Sequence, residues 1–185
     1  MKEKELIKLL QAGSSDEAEI IVKENYAFVY SFLYRRCFQA DLAKELTQET
    51  FYRFFRNIHS YEAKGKLLNY LYRVALHLLY DETRKNKHVI DEYDMEIIED
   101  DAPQASDILH KKQRAMEVQR LLKMLPPSQQ DVLVLRFYQD LKFKDIASIT
   151  GSNVSTVKSR YQAALKVMEQ KWKEGEQYEE GTIIS

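Results

Sequence analysis

The sequence predicts an all-α protein built from two small helical domains joined by a flexible acidic linker. Three observations carry that prediction. Gly and Pro together number only eight in 185 residues, too few for a turn-rich sandwich or barrel. Apolar residues recur at helical spacing along most of the chain, and a 44% hydrophobic content is enough for real cores. The periodicity lapses once, over the acidic stretch VIDEYDMEIIEDDAPQASD. A chain of this length accommodates one domain or two small ones.

The elements follow in order. Lys2–Gln11 places Leu6, Ile7, Leu9 and Leu10 on a short amphipathic helix ended by Gly13. Ser15-Asp16-Glu17 reads as a cap and acidic first turn. The stripe Ile20, Ile21, Tyr26, Val29, Tyr30, Leu33 and Tyr34 continues as a long helix. Asp41 is placed to cap the next helix, which reaches roughly His59 on Leu42, Leu46, Phe51, Phe54, Phe55 and Ile58. A loop with Gly65 leads to a fourth helix over 66–87, carried by Leu67, Leu71, Val74, Ala75, Leu78 and Leu79. Residues 89–106 read as a linker. Helix returns near Asp107 and runs to about Met124. Pro126-Pro127 breaks it, and Pro127-Ser128 opens the next. The domains are therefore 1–88 and 107–173, with 174–185 as a frayed, Glu-rich tail.

Charge is segregated along this layout. Residues 1–88 carry 15 Lys/Arg against 12 Asp/Glu; residues 89–107 carry eight acids and no base. Residues 108–173 carry 13 bases against five acids, and the last twelve residues add four Glu. The overall charge of -1 conceals this pattern. Basic blocks around an acidic connector suit a polyanion partner, although solvated helix faces give the same pattern.

Phe143–Arg160 is the most informative segment. Ile146, Ala147 and Ile149 face inward from a short helix, Gly151 sits where a tight turn takes positive φ, and Asn153 can cap a second helix from Val154 to about Trp172. This is a helix-turn-helix pattern, and ordinary bundles also contain helix, Gly, helix. At 100° per residue, Val154, Val157, Tyr161, Ala164, Leu165 and Met168 fall inward. Ser155, Thr156, Ser159, Gln162, Ala163 and Lys166 fall outward, with Lys158 and Arg160 at the edges. The outward set holds no acid, which favours a groove-facing surface over a solvated one.

Other classes find less support. The histidines His59, His77, His88 and His110 form no Glu-x-x-His pair, so no di-metal bundle is expected. No phosphate-binding glycine motif is present. No catalytic residue, metal site, cofactor or small-molecule substrate is predicted. Cys37 is the one cysteine, which excludes an internal disulfide framework. Its neighbours Arg35 and Arg36 could lower the thiol pKa, but packing is the commoner role. No apolar run is long enough to insert in a membrane, and MKEKELIKLL lacks a signal-peptide core, so a cytoplasmic setting is expected.

Leu125–Met168, LPPSQQDVLVLRFYQDLKFKDIASITGSNVSTVKSRYQAALKVM, resembles the promoter-reading region 4 of bacterial sigma factors. DLAKELTQETFYRFFRNIHSY (Asp41–Tyr61) resembles the region 2 segment that docks on RNA polymerase, and LLNYLYRVALHLLYDETRK (Leu67–Lys85) the adjoining promoter-melting segment. Both in this order, with a short linker, resemble an extracytoplasmic-function sigma factor of the sigma-70 family. Three expectations follow from the resemblance. Asp41, Glu45, Leu46, Gln48, Glu49 and Phe51 would bind core RNA polymerase. Tyr61, Lys64, Lys66, Tyr70, Arg73, His77, Arg84 and Lys85 would bind and melt promoter DNA, with the Tyr61–Lys66 loop as a base pocket. Ser155, Thr156, Lys158, Ser159, Arg160, Gln162, Ala163 and Lys166 would read the upstream element.

Core polymerase, promoter DNA and an anti-sigma factor are the implied partners, and the acidic linker would follow a nucleic-acid path. The sequence departs from the family pattern at Tyr70, where Trp is usual, and at His77, where Asn is common. It departs again at Ala163 and Leu165, where Arg is frequent, and at Ser152, where an apolar residue is common and whose polarity is expected to weaken local packing. A helix-turn-helix regulator acting without polymerase is the alternative, and it leaves the Asp41–Tyr61 pattern unexplained.

Overall fold

The computed structural model describes residues 3–85 and 105–182, with side chains over 3–85 and 114–173. Among the described residues there are eight α-helices, one 3-10 turn and no strand. The helices are α1 (Glu3–Gln11), α2 (Asp16–Cys37), α3 (Ala40–Arg56), α4 (Leu67–Lys85), α5 (Ala105–Met124), α6 (Pro127–Phe137), α7 (Phe143–Thr150) and α8 (Val154–Thr182), with the 3-10 turn at Ile58–Ser60. The chain divides into two compact units, Met1–Met95 with Ala147–Gly151, and Glu96–Ile146 with Ser152–Ser185.

In the first unit α2, α3 and α4 pack against one another, and α1 lies on α2 and the 3-10 turn. Val29, Phe32, Leu33, Phe54, Leu71, Tyr72 and Ala75 are fully buried, so the predicted apolar stripes meet in one core. Tyr72 lies edge-on to Phe32 with centroids 5.2 Å apart. Tyr72 is therefore a core residue. The hydroxyls of Thr47 and Thr50 are buried and donate to the carbonyls of Ala43 and Leu46, at 2.6 and 2.7 Å, which spares the core an unpaired polar atom. Two expectations are corrected here. Gln39, not Asp41, occupies the position before α3, and it makes no side-chain cap. Asp41 lies in the first turn instead, where its charge favours the positive helix end. The helix ends at Arg56, and the 3-10 turn covers the residues up to Ser60.

In the second unit α5 and α6 pack on α8. Pro127 opens α6 as expected. Leu121, Leu122, Leu125, Val132, Val134, Leu135, Val157 and Ala164 are buried. Ile146 is buried at the end of this unit's share of α7; Ala147 and Ile149, which group with the first unit, are buried too, and Gly151 has φ +65°. Two residues assigned inward are not: Val154 is 38% exposed and Leu165 42% exposed. Val154 is the first residue of its helix, and Leu165 lies one position beyond the buried Ala164, at the edge of the apolar arc. The tail also differs from expectation. The backbone stays helical to Thr182, as the good helix formers Glu, Gln and Lys allow. The proposed linker lies outside the described residues except for Ala105 and Ser106, which open α5.

Candidate nucleic-acid interface

The helix-turn-helix is held by its cap. Asn153 Oδ1 accepts the backbone N–H of Thr156 at 2.7 Å and the hydroxyl of Ser155 at 2.7 Å. An orphan donor of the first turn is thereby satisfied. Val157 and Ala164 fix the inward side of α8. Ser155, Lys158, Ser159, Gln162, Ala163 and Lys166 are exposed, while Thr156 and Arg160 are half-buried. Ser159 spends its hydroxyl proton on the carbonyl of Thr156, at 2.9 Å. Its oxygen retains lone pairs for an incoming donor. No acid occurs on α8 before Glu169.

Arg160 plays a different part from the edge position assigned to it. Its Nη1 donates to Ser152 Oγ at 2.9 Å, bracing the turn against the helix. Ser152 therefore does not simply weaken the packing of the turn; its hydroxyl accepts a charge-assisted hydrogen bond.

On α4, Tyr70, Arg73, His77 and Arg84 fall within a narrow angular stripe, with Lys66 just ahead of the first turn. Leu71, Ala75, Leu78 and Leu79 take the buried side. Lys64, Lys66, Arg73, His77, Arg84 and Lys85 are all exposed. Three of these cations have acidic neighbours: Lys64 with Glu62 at 2.8 Å, Arg84 with Asp81 at 3.4 Å and Lys85 with Glu82 at 3.7 Å. The Lys64 ammonium holds the Glu62 carboxyl below its ordinary value by hydrogen bond and charge. Such exposed pairs are weak and yield readily to a phosphate. Tyr61 and Tyr70 are half-buried, edge-on to each other at 4.9 Å and both edge-on to Phe54. Burial, followed by the charge of Glu3, pushes the Tyr61 hydroxyl well above its ordinary value, so it stays protonated as a donor.

On α3, Glu45, Gln48 and Glu49 reach the surface on one face. They line a cleft of about 590 Å3 between α3 and α4, together with Tyr52, Asp81 and Arg84. Arg53 pairs with Glu49 at 2.7 Å. Asp41 is exposed at the start of the helix. Leu46 and Phe51 are buried, and Phe51 stacks on Tyr26 at 6.2 Å. They hold α3 in the core, and Leu46 also lines the cleft beside Glu45, Gln48 and Glu49. The exposed ring beside the acids is Tyr52, at 59%, which the sequence reading did not select. Its position one turn after Gln48 was the available signal.

Cys37 is not an activated thiol. Burial pushes its pKa up, outweighing the hydrogen bond to the Gln39 carbonyl and the Arg36 charge. Among the described residues no group of three or more His, Cys, Asp or Glu is placed to hold a metal, and no helix is long and apolar enough to cross a membrane.

The family profile described as Sigma-70 region 2 matches residues 21–89, and the one described as Sigma-70, region 4 matches residues 115–168. The chain is 29% identical over 169 residues to the ECF RNA polymerase sigma factor SigW of Bacillus subtilis, covering 85% of this chain and 89% of that protein. It is 30% identical over 145 residues to the ECF RNA polymerase sigma factor SigE of Mycolicibacterium smegmatis, covering 76% of this chain and 55% of that protein. The chain thus spans only about half the length of the second relative. The sigma factor RpoE of Bartonella quintana, solved with the anti-sigma factor NepR, shares the fold at TM-score 0.72 and 18% identity, over 86% of this chain and 98% of that one. CnrH, solved with the cytosolic domain of CnrY, does so at TM-score 0.71 and 15% identity, over 92% and 97%. The two profiles, in this order on one chain and together spanning about two thirds of it, make the chain a member of the sigma-70 family, in its extracytoplasmic-function class.

Proposed function

We propose that this chain directs RNA polymerase to specific promoters and opens them. The first unit docks on core polymerase and captures the melted downstream element; the helix-turn-helix reads the upstream element. The single observation that carries this reading is the presence of both sigma regions, in order, on one chain. A regulator that only bound DNA would need no region 2.

The exposed residues support a physical division of labour. Glu45, Gln48 and Glu49 offer a polar, acceptor-rich face that suits basic side chains on a partner helix. Tyr52 adds an apolar ring beside them. The α4 stripe offers Lys66, Arg73, His77 and Arg84 to a single-strand backbone. The Tyr61–Lys66 loop, backed by Tyr61 and Tyr70, receives an unpaired base. Opening then proceeds by differential binding: the separated strand finds contacts that the duplex does not offer, with no covalent step in this chain. Gln162 and Ala163 face the upstream duplex, while Lys158 and Lys166 hold phosphates. The protein works in the cytoplasm and is held in check by an anti-sigma factor, a reading supported by the fold it shares with RpoE, which was solved with the anti-sigma factor NepR.

Pull-down with core polymerase tests the docking half. The chain should retain core enzyme, and the complex should bind a promoter recovered by selection. Duplex binding without any retention of core enzyme would support a plain helix-turn-helix regulator instead.

A further inference from the structure

The segment joining α3 to α4 is bonded to α1, a helix that precedes the stretch matched by the region 2 profile. Glu3 Oε1 accepts the backbone N–H of Gly65 at 3.1 Å and the hydroxyl of Tyr61 at 3.3 Å. Its Oε2 accepts the backbone N–H of Leu67 at 3.0 Å. Gln11, at the other end of α1, donates from Nε2 to the carbonyls of Ile58 and Tyr61, at 2.9 and 3.0 Å. Two side chains of one helix thereby hold both ends of the segment between the 3-10 turn and α4. Leu67 is the first residue of α4, so Glu3 also places a negative charge at the positive end of that helix and satisfies one of its orphan donors.

These bonds are poorly explained by stability alone. Leu6, Ile7 and Leu10 are buried and already anchor α1. The polar contacts lie at part-buried and exposed positions, so the apolar side chains rather than these bonds fasten α1 to the core. They fall instead on a loop with no regular structure and a glycine at φ +70°. Such a loop would otherwise have to be ordered when a ligand bound, at a cost in affinity.

We propose that Glu3 and Gln11 are positioning residues for base capture: they hold the Tyr61–Lys66 loop in the shape that receives an unpaired DNA base. This rests on the reading of that loop given above. Glu3 fixes the Tyr61 ring through its hydroxyl and the Gly65 backbone through its N–H, while Gln11 fixes the entry to the loop. Neither side chain need touch DNA.

The test uses holoenzyme reconstituted from the full chain and core polymerase. The probe is a short single-stranded DNA carrying the downstream element selected by wild-type holoenzyme, compared with probes made abasic at each position in turn. Wild type should show one position where loss of the base weakens binding roughly tenfold, the worth of one stacked base. Glu3→Gln and Gln11→Ala should weaken binding of the intact probe by about that factor and erase the penalty at that position. Their affinities for core polymerase and for the duplex upstream element should be unchanged. Val29→Ala, which removes buried volume on α2 and leaves Glu3 and Gln11 in place, should lower the melting temperature and keep the penalty. If Glu3→Gln and Gln11→Ala keep the full penalty, α1 is merely structural and the inference is overturned. If wild type itself shows no penalty at any position, the base-pocket reading is what fails, and the inference falls with it.

Discussion

Arg53 donates from Nε to Glu49 Oε1 at 2.7 Å across one turn of α3, so one acid of the proposed docking face is already paired within its own helix. Both side chains are about two-fifths exposed, and an i,i+4 pair in that setting contributes only about 0.3–0.5 kcal/mol. The acids are therefore not what holds α3 in place; Leu46, Phe51 and Phe54 are. The double variant Glu45→Lys/Glu49→Lys should keep its helicity and lose less than about 1 kcal/mol of stability. Its affinity for core polymerase should fall by roughly tenfold or more, through like-charge repulsion against a basic partner. Circular dichroism and a binding titration read the two effects separately, and unchanged affinity would remove these residues from the docking face.

The cap of the recognition helix makes a second prediction. Asn153→Ala removes the acceptor for the Thr156 N–H and should cost about 1 kcal/mol. Asn153→Asp should restore it, because a carboxylate accepts the same bond. Thermal melting checks the order wild type, Asp, Ala. A melting temperature indifferent to all three would mean the cap contributes nothing in solution.

Two classes of side chain on α8 should fail differently. Gln162→Ala should change preference at one or two base pairs of the upstream element by about 1–3 kcal/mol. Lys158→Ala should weaken all duplex sites about equally and lower the salt slope by about one unit. Arg160→Ala should do more than remove a basic side chain from α8. It also frees Ser152, so it should lower the melting temperature where Lys158→Ala does not. Selection on a promoter library and melting curves measure these effects. A Gln162→Ala variant with an unchanged selected sequence would show that this face does not read bases.

Alkaline pH should destabilise the first unit. Burial holds Cys37, Tyr61 and Tyr72 above their ordinary values of 9.0, 10.0 and 10.0. As pH rises through that range, the unfolded chain releases these protons while the native state keeps them. The unfolded state then binds fewer protons, so stability is full below about pH 9 and declines above it. Cys37→Ser should remove the earliest part of the decline. Melting temperatures that stay flat from about pH 8 to about pH 11 would contradict this sign.

Much of this was legible in the sequence. Helical spacing and scarce breakers located the helices, because each apolar stripe is a local pattern of one chain segment. Gly151 and Asn153 marked the turn and cap, since both act on residues within a few positions. What escaped was non-local. Nothing near Glu3 announces that its carboxylate will meet Gly65 and Leu67, more than sixty positions away. Ser152 looked like a packing defect until Arg160, eight residues on, supplied its partner. Leu46 and Phe51 sit in the docking motif, yet which face of α3 meets the core depends on α2 and α4. A motif constrains a stretch of chain, whereas burial assigns roles within it.

The most direct test is transcription from a purified system. Core polymerase alone, core polymerase with this chain, and core polymerase with its Glu45→Lys/Glu49→Lys variant are each given a promoter library, and initiated transcripts are sequenced. The account predicts that the wild-type chain yields transcripts from one class of site, marked by a shared upstream and downstream element. The double variant should yield none while its isolated fold persists. Equal initiation with and without the chain, or duplex binding that never produces a transcript, would contradict the assignment of a sigma factor.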